Sequence, residues 1–105
     1  MTTFVVDLSQ VSGPVYSGRD RGEALRVKYG LDSKEDDADV IDVVIPTSAY
    51  TVSSSFFLGL LGPSVRKCGS VDLFERKFRF SAPEFLKPVL HGHAQLALQN
   101  RKLFG

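Results

Sequence analysis

The sequence predicts an α/β domain, a mixed sheet of about four strands packed with three helices, and three observations predict it. Short β-branched and aromatic runs alternate with segments of helical period, in the order strand, short strand, helix, strand, helix, strand, helix. Strands separated by helices imply a sheet that is at least partly parallel, with the helices packed on it. A length of 105 residues with 43% hydrophobic content is enough for one core and leaves no second lobe, so a single domain over 1–105 is expected.

Phe4, Val6 and Leu8 alternate with Val5 and Asp7, the period of a half-buried strand. Ser12-Gly13-Pro14 then offers turn chemistry before the apolar pair Val15-Tyr16, so a small N-terminal hairpin is expected. Ser17 is placed to cap the next segment, with Asp20 three residues on as a shortened capping box. Leu25 and Tyr29 share a helical face, and Gly30 sits where a terminating glycine belongs. From Leu31 to Asp39 the chain is dominated by Asp32, Glu35, Asp36, Asp37 and Asp39 and reads as a solvated loop. Val40, Ile41, Val43, Val44 and Ile45, ending at Pro46, read as the central strand, covered on both faces.

Ser53-Ser54-Ser55 opens a second helix expected from about Ser54 to Cys68. Phe56, Phe57, Leu58, Leu60, Leu61 and Val65 make it apolar almost all round and therefore buried. Arg66 and Lys67 complement the dipole of its last turn, Gly69 closes it, and Gly62-Pro63 is expected to kink it. Val71 to Phe80 reads as a half-exposed strand, with Phe78 and Phe80 alternating with Lys77 and Arg79. Ser81-Ala82-Pro83-Glu84 then matches a capping box, and Leu86, Leu90, His93 and Ala97 continue a third helix past an irregular turn at Pro88. The tail Asn100 to Gly105 reads as a fraying end. Val43, Ile45, Phe57, Leu60, Leu61 and Leu90 are the expected core.

Composition narrows the function classes. Cys68 is the single cysteine, and the N-terminus has neither a basic stretch nor an apolar one, which favours a cytoplasmic protein. The segment Val43 to Val65 is uncharged, but Pro46, Pro63 and seven Ser or Thr hydroxyls dilute it far below a membrane span. Residues 1–65 carry five Lys or Arg against nine Asp or Glu, whereas residues 66–105 carry eight against three. No dense basic run interleaves with aromatics, so weak nucleic-acid binding is a minor alternative. His91 and His93 lie two apart, about 200° around a helix, and cannot easily share a metal. Neither phosphate-cradling glycine motifs nor a nucleophile elbow is present, so no catalytic residue, cofactor or metal is expected and the chain reads as no enzyme.

The serine run stands out because it follows a buried strand and opens a buried helix. One or two serines there are good N-caps, since a hydroxyl accepts from the orphan N–H groups of the first turn. The same geometry suits a phosphorylated hydroxyl, which meets the positive end of the helix dipole. Three stretches, Ser17-Gly18-Arg19-Asp20-Arg21-Gly22-Glu23-Ala24-Leu25-Arg26, Val40-Ile41-Asp42-Val43-Val44-Ile45 and Val52-Ser53-Ser54-Ser55-Phe56-Phe57-Leu58-Gly59-Leu60-Leu61-Gly62, together resemble the bacterial STAS-like domain family of unknown function. The resemblance spans about residues 4–98. It implies the sheet-and-helix fold of the anti-sigma-factor antagonists and a regulatory protein-protein interaction module of the partner-switching type. In those antagonists a serine at the corresponding helix start is phosphorylated by a histidine-kinase-like ATPase. By position Ser53 matches that serine and Ser54 is the near alternative, although Val52 and Ser55 stand where the antagonists have Asp and Gly. Arg19, Arg21, Ser53, Ser54 and Ser55 are the expected partner-binding residues, and a homo-oligomer is a further candidate assembly. The alternative reading is a phage- or defence-related or structural assembly domain of the same fold without a phosphorylation switch.

Overall fold

The computed structural model describes residues 2–11 and 15–104, with side chains described as far as residue 99. It is an α/β structure with parallel strands throughout. In chain order the elements are β1 (Thr3–Asp7), β2 (Val15–Tyr16), α1 (Arg19–Tyr29), α2 (Leu31–Asp37), β3 (Val40–Val44), β4 (Thr51–Val52), α3 (Ser54–Cys68), α4 (Val71–Lys77), β5 (Phe78–Ser81) and α5 (Lys87–Phe104). A three-stranded sheet has the order β1-β3-β5, and β2 pairs with β4 in a second, two-stranded one. Parallel pairing needs crossovers, and the two helices between each pair of neighbouring strands supply them.

Alternation along the strands shows which face carries the helices. Val6, Ile41, Val43 and Phe78 are buried, whereas Val5 is 49% exposed and Arg79 is exposed. The expected central strand is therefore central, fully covered on the Ile41 and Val43 face, whereas on the other face Val40 is buried and Asp42 and Val44 are half-buried. All six residues expected in the core are buried.

The layer of helices is built around α3. Its face is apolar almost all round, as expected, and every residue from Phe56 to Gly62 is buried. Each fully buried Phe or Leu contributes roughly 1.5–3 kcal/mol. Gly22 of α1 and Gly59 of α3 allow the two helices to touch backbone to backbone. A methyl group on Gly22 would stand 2.3 Å from the Phe56 carbonyl oxygen, and one on Gly59 would stand 2.3 Å from the Arg19 carbonyl oxygen. Arg26, one turn further along α1, donates to the Leu60 carbonyl and the Ser64 hydroxyl, both at 2.8 Å. The contacts advance in step along both helices, so α1 and α3 run in the same direction.

Several segments depart from the sequence reading, each for a physical reason. Val15-Tyr16 forms no hairpin with the first strand, because β2 feeds α1 and must run beside β4, which feeds the parallel helix α3. Asp7 begins the diversion by accepting from the Ser9 N–H and hydroxyl in a single 3-10 turn, Leu8–Gln10, and these bonds lower the Asp7 pKa. The expected turn Ser12-Gly13-Pro14 lies outside the described residues. Gly18, not Ser17, caps α1, and no side chain bonds there.

The acidic stretch is helical rather than looped, with Leu31 and Glu35 one turn apart and both buried. Residues 71–77 are helix rather than strand. Ser70 accepts from the Leu73 N–H, Phe74 is buried, and Phe74 stacks on Phe78 with ring centroids 4.8 Å apart. Ser81 caps nothing: its carbonyl accepts from the Ile45 N–H at 2.8 Å, which keeps it in the sheet, and a 3-10 turn at Glu84–Leu86 precedes α5. Among the described residues the fold thus has five α-helices instead of three and two parallel sheets instead of one mixed sheet. Gly30 and Gly69 close α1 and α3 in the left-handed conformation, as expected. The last helix runs on to Phe104 through most of the tail expected to fray.

The backbone contact makes a sharp prediction. Gly22→Ala and Gly59→Ala should each abolish the cooperative thermal transition or lower its midpoint severely. Gly92→Ala, which meets open space in α5, should instead raise stability by up to about 1 kcal/mol through helix propensity. Thermal melts of the three variants check both signs, and a wild-type-like Gly59→Ala would contradict the packing described.

Candidate functional site

The short β2–β4 ladder brings two helix starts together. Val15 pairs with Thr51 and Tyr16 with Val52, and the Ser53 N–H then donates to the Tyr16 carbonyl at 2.8 Å. Both strands end here and turn directly into helices, α1 after Gly18 and α3 after Ser53. With Gly59 against the Arg19 backbone, the first turn of α1 sits beside the second turn of α3. Arg19, Arg21, Ser53, Ser54 and Ser55 therefore share one end of the helix pair.

The five side chains differ in what they can offer. Arg19 and Ser55 are exposed, and Ser53, Ser54 and Arg21 are half-buried. Ser53 is the N-cap of α3: its hydroxyl accepts from the Phe56 N–H at 3.1 Å. The hydroxyl hydrogen is still available to donate. In the first turn of any helix the N–H groups lack an intrahelical carbonyl, so this end of α3 favours an anionic or acceptor group. Arg21 folds back on β2, donating to the Val15 carbonyl at 3.1 Å with its guanidinium 5.6 Å from the Tyr16 ring centroid. It braces the strand as well as adding positive charge.

Three residues that the sequence reading did not assign to this corner hold it in place. Tyr16 is buried, and its hydroxyl donates to the Leu8 carbonyl at 3.0 Å, tying β2 to the end of the first strand. Burial raises the Tyr16 pKa, so the hydroxyl stays protonated as a donor. Its ring centroid lies 5.6 Å from that of Phe56. From the opposite side, His93 of α5 bonds through Nε2 to the Val52 carbonyl at 2.8 Å, and its ring lies 5.6 Å from that of Phe57. A carbonyl only accepts, so Nε2 carries the hydrogen. The third is Arg26, whose hold on α3 keeps the two helices in register. Gly22 and Gly59 were the legible signal, since glycines inside helical patterns often mark close packing.

His91 turns to a different partner, Glu75 Oε2 at 2.9 Å, so the two histidines diverge as their spacing implies. Among the described residues no cluster of three or more His, Cys, Asp or Glu is arranged to hold a metal ion. Burial pushes the Cys68 thiol above its ordinary pKa, which lowers its thiolate content. No helix among the described residues is long and apolar enough to cross a membrane.

The capping geometry predicts that Ser53→Ala loses about 0.5–2 kcal/mol of stability in urea denaturation, while Ser53→Asp stays within about 0.5 kcal/mol of wild type. Ser55→Ala, exposed and without a capping bond, should be neutral. An unchanged Ser53→Ala midpoint would remove Ser53 from the capping role. No protein-family model, curated protein or solved structure matches the chain.

Proposed function

We propose that the chain is a regulatory protein-protein interaction module of the partner-switching type, acting in the cytoplasm and carrying no catalytic step of its own. The observation that supports this reading is the convergence of two helix starts at one end of the α1–α3 pair, with Arg19 and Ser55 both exposed there. A partner with acidic groups can pair with Arg19 while its carbonyls or carboxylates meet the first-turn N–H groups of α3. Ser53, with Ser54 as the near alternative, is the modification point, and a histidine-kinase-like ATPase is the proposed kinase and partner. A phosphoryl group on Ser53 would add nearly two negative charges while keeping oxygen acceptors near the Phe56 N–H. The core need not move, and the surface offered to an acidic partner would change sign.

A second reading is favoured by one observation: the Ser53 hydroxyl is half-buried and already engaged with Phe56. On that reading Ser53 is a cap only, and the same corner is a constitutive assembly surface.

Phosphopeptide mapping by mass spectrometry of the protein isolated from its own cells separates the two. The switching account expects phosphate on Ser53 or Ser54, and at least about tenfold weaker binding of the co-purifying partner by Ser53→Asp and Arg19→Glu at unchanged melting temperature. Unmodified serines and full partner affinity in Ser53→Asp, Ser54→Asp and Arg19→Glu would defeat it.

A further inference from the structure

The edge of the three-stranded sheet carries a feature unrelated to the serine corner. Beside β5, between α4 and α5, lies a cavity of about 270 Å³ lined by Glu75, Phe78, Arg79, Phe80, Lys87 and Leu90. It lies just below the roughly 300–1,000 Å³ of small-molecule sites, so it suits one large side chain better than a cofactor. Its floor is apolar, made by Phe78, Phe80 and Leu90, which continue the hydrophobic core past the last strand.

The backbone beside it is open in a matching way. Ser81 directs its carbonyl to β3 through the Ile45 N–H, and successive residues of a strand point their N–H and C=O to opposite edges. Phe80 therefore presents its N–H and C=O to the free edge of the sheet. β5 is an outer strand, with β3 on its other side. A further strand laid along this edge would direct alternate side chains into the cavity and onto the outer face of the sheet.

Charge decides what those outward side chains should be. Arg79 is exposed on the outer face and makes no ion pair among the described residues. Glu75, the one carboxylate lining the cavity, is engaged by His91, and the neighbouring Lys87 bonds to Glu84 at 3.0 Å. Among the charged side chains lining the cavity, Arg79 is the one with no hydrogen-bonded or ionic partner among the described residues, and its charge is positive, in keeping with the basic balance of residues 66–105.

We infer that the β5 edge binds an extended segment of a partner protein in which apolar and acidic residues alternate. One apolar side chain fills the cavity, an acidic one faces Arg79, and the segment's backbone bonds to Phe80. This is strand addition, in which main-chain bonds give affinity and a pocket gives specificity.

The probe is a labelled eight-residue peptide of alternating leucine and aspartate, titrated by fluorescence anisotropy against the whole chain. Saturable binding is expected, weakened about fivefold to tenfold by Arg79→Glu, because a like charge then sits opposite each aspartate. The leucine–lysine peptide should show the reverse preference, binding Arg79→Glu better than wild type. Methylating alternate peptide nitrogens should abolish binding. Arg79 is exposed, and circular dichroism of Arg79→Glu verifies that the variant is folded. The inference is overturned by no saturable binding, by equal affinity for the aspartate and lysine peptides, or by indifference to N-methylation. It is also overturned if sedimentation shows the chain pairing with itself through this edge, or if single-stranded DNA binds there and displaces the peptide.

Discussion

The fold depends on the way α1 is held against α3. Two glycines let the backbones meet, and one arginine fixes the register. Arg26 is 7% exposed and uses all five of its N–H donors: Nε and one Nη2 hydrogen on Asp32, the other Nη2 hydrogen on Glu35, and the two on Nη1 on Leu60 and Ser64. Glu35 is 4% exposed, so the pair it makes with Arg26 at 2.8 Å is removed from water. Desolvating two charges is costly, and the complete set of partners offsets that cost here. No buried side-chain polar atom among the described residues is left without a partner.

From this clamp follow features that otherwise look unconnected. The acidic stretch after Gly30 becomes a helix because Glu35 reaches Arg26 while Leu31 fills the core beneath it. At its far end Asp36 pairs with Lys67 of α3, which lowers the Asp36 pKa and raises that of Lys67. Three helices are thus joined by ion pairs on one side and by apolar packing on the other. At the opposite end the same crossing puts the start of α1 and the start of α3 at one end of the helix pair, so the proposed binding surface is a consequence of the helix register and not of loop conformation. A surface built this way is pre-organised, which suits a module that must keep its shape while a hydroxyl is modified.

Much of this was legible in the sequence. Period-2 and β-branched runs located β1 and β3, and apolar content with a serine cap and a terminating glycine bounded α3 from Ser54 to Cys68. Local pattern failed where a distant partner decides the conformation. Leu31–Asp37 has only one apolar residue, and nothing near it in sequence reveals that Glu35 is wanted by Arg26. Likewise Val71–Lys77 turns on the stacking of Phe74 and Phe78, which in isolation also suits a strand. The pairing of β2 with β4 joins two-residue strands far apart in the chain, and no periodicity can be read from two residues. The candidate corner was legible as two separate helix starts, but their adjacency and the bracing by Tyr16 and His93 are tertiary facts.

A double-mutant cycle on Arg26 and Glu35, read by urea denaturation, tests the clamp most directly. Arg26→Met should cost about 3–5 kcal/mol, because it strands the Glu35 carboxylate in the interior. Glu35→Leu should cost about 1–3 kcal/mol, because one Nη2 hydrogen of Arg26 loses its acceptor while Asp32 still pairs the charge. Combined, they should cost clearly less than the sum, with a coupling of at least about 1.5 kcal/mol. Simple additivity, or single variants that melt like the wild type, would contradict the account, because the helix register would then rest on something other than this arginine.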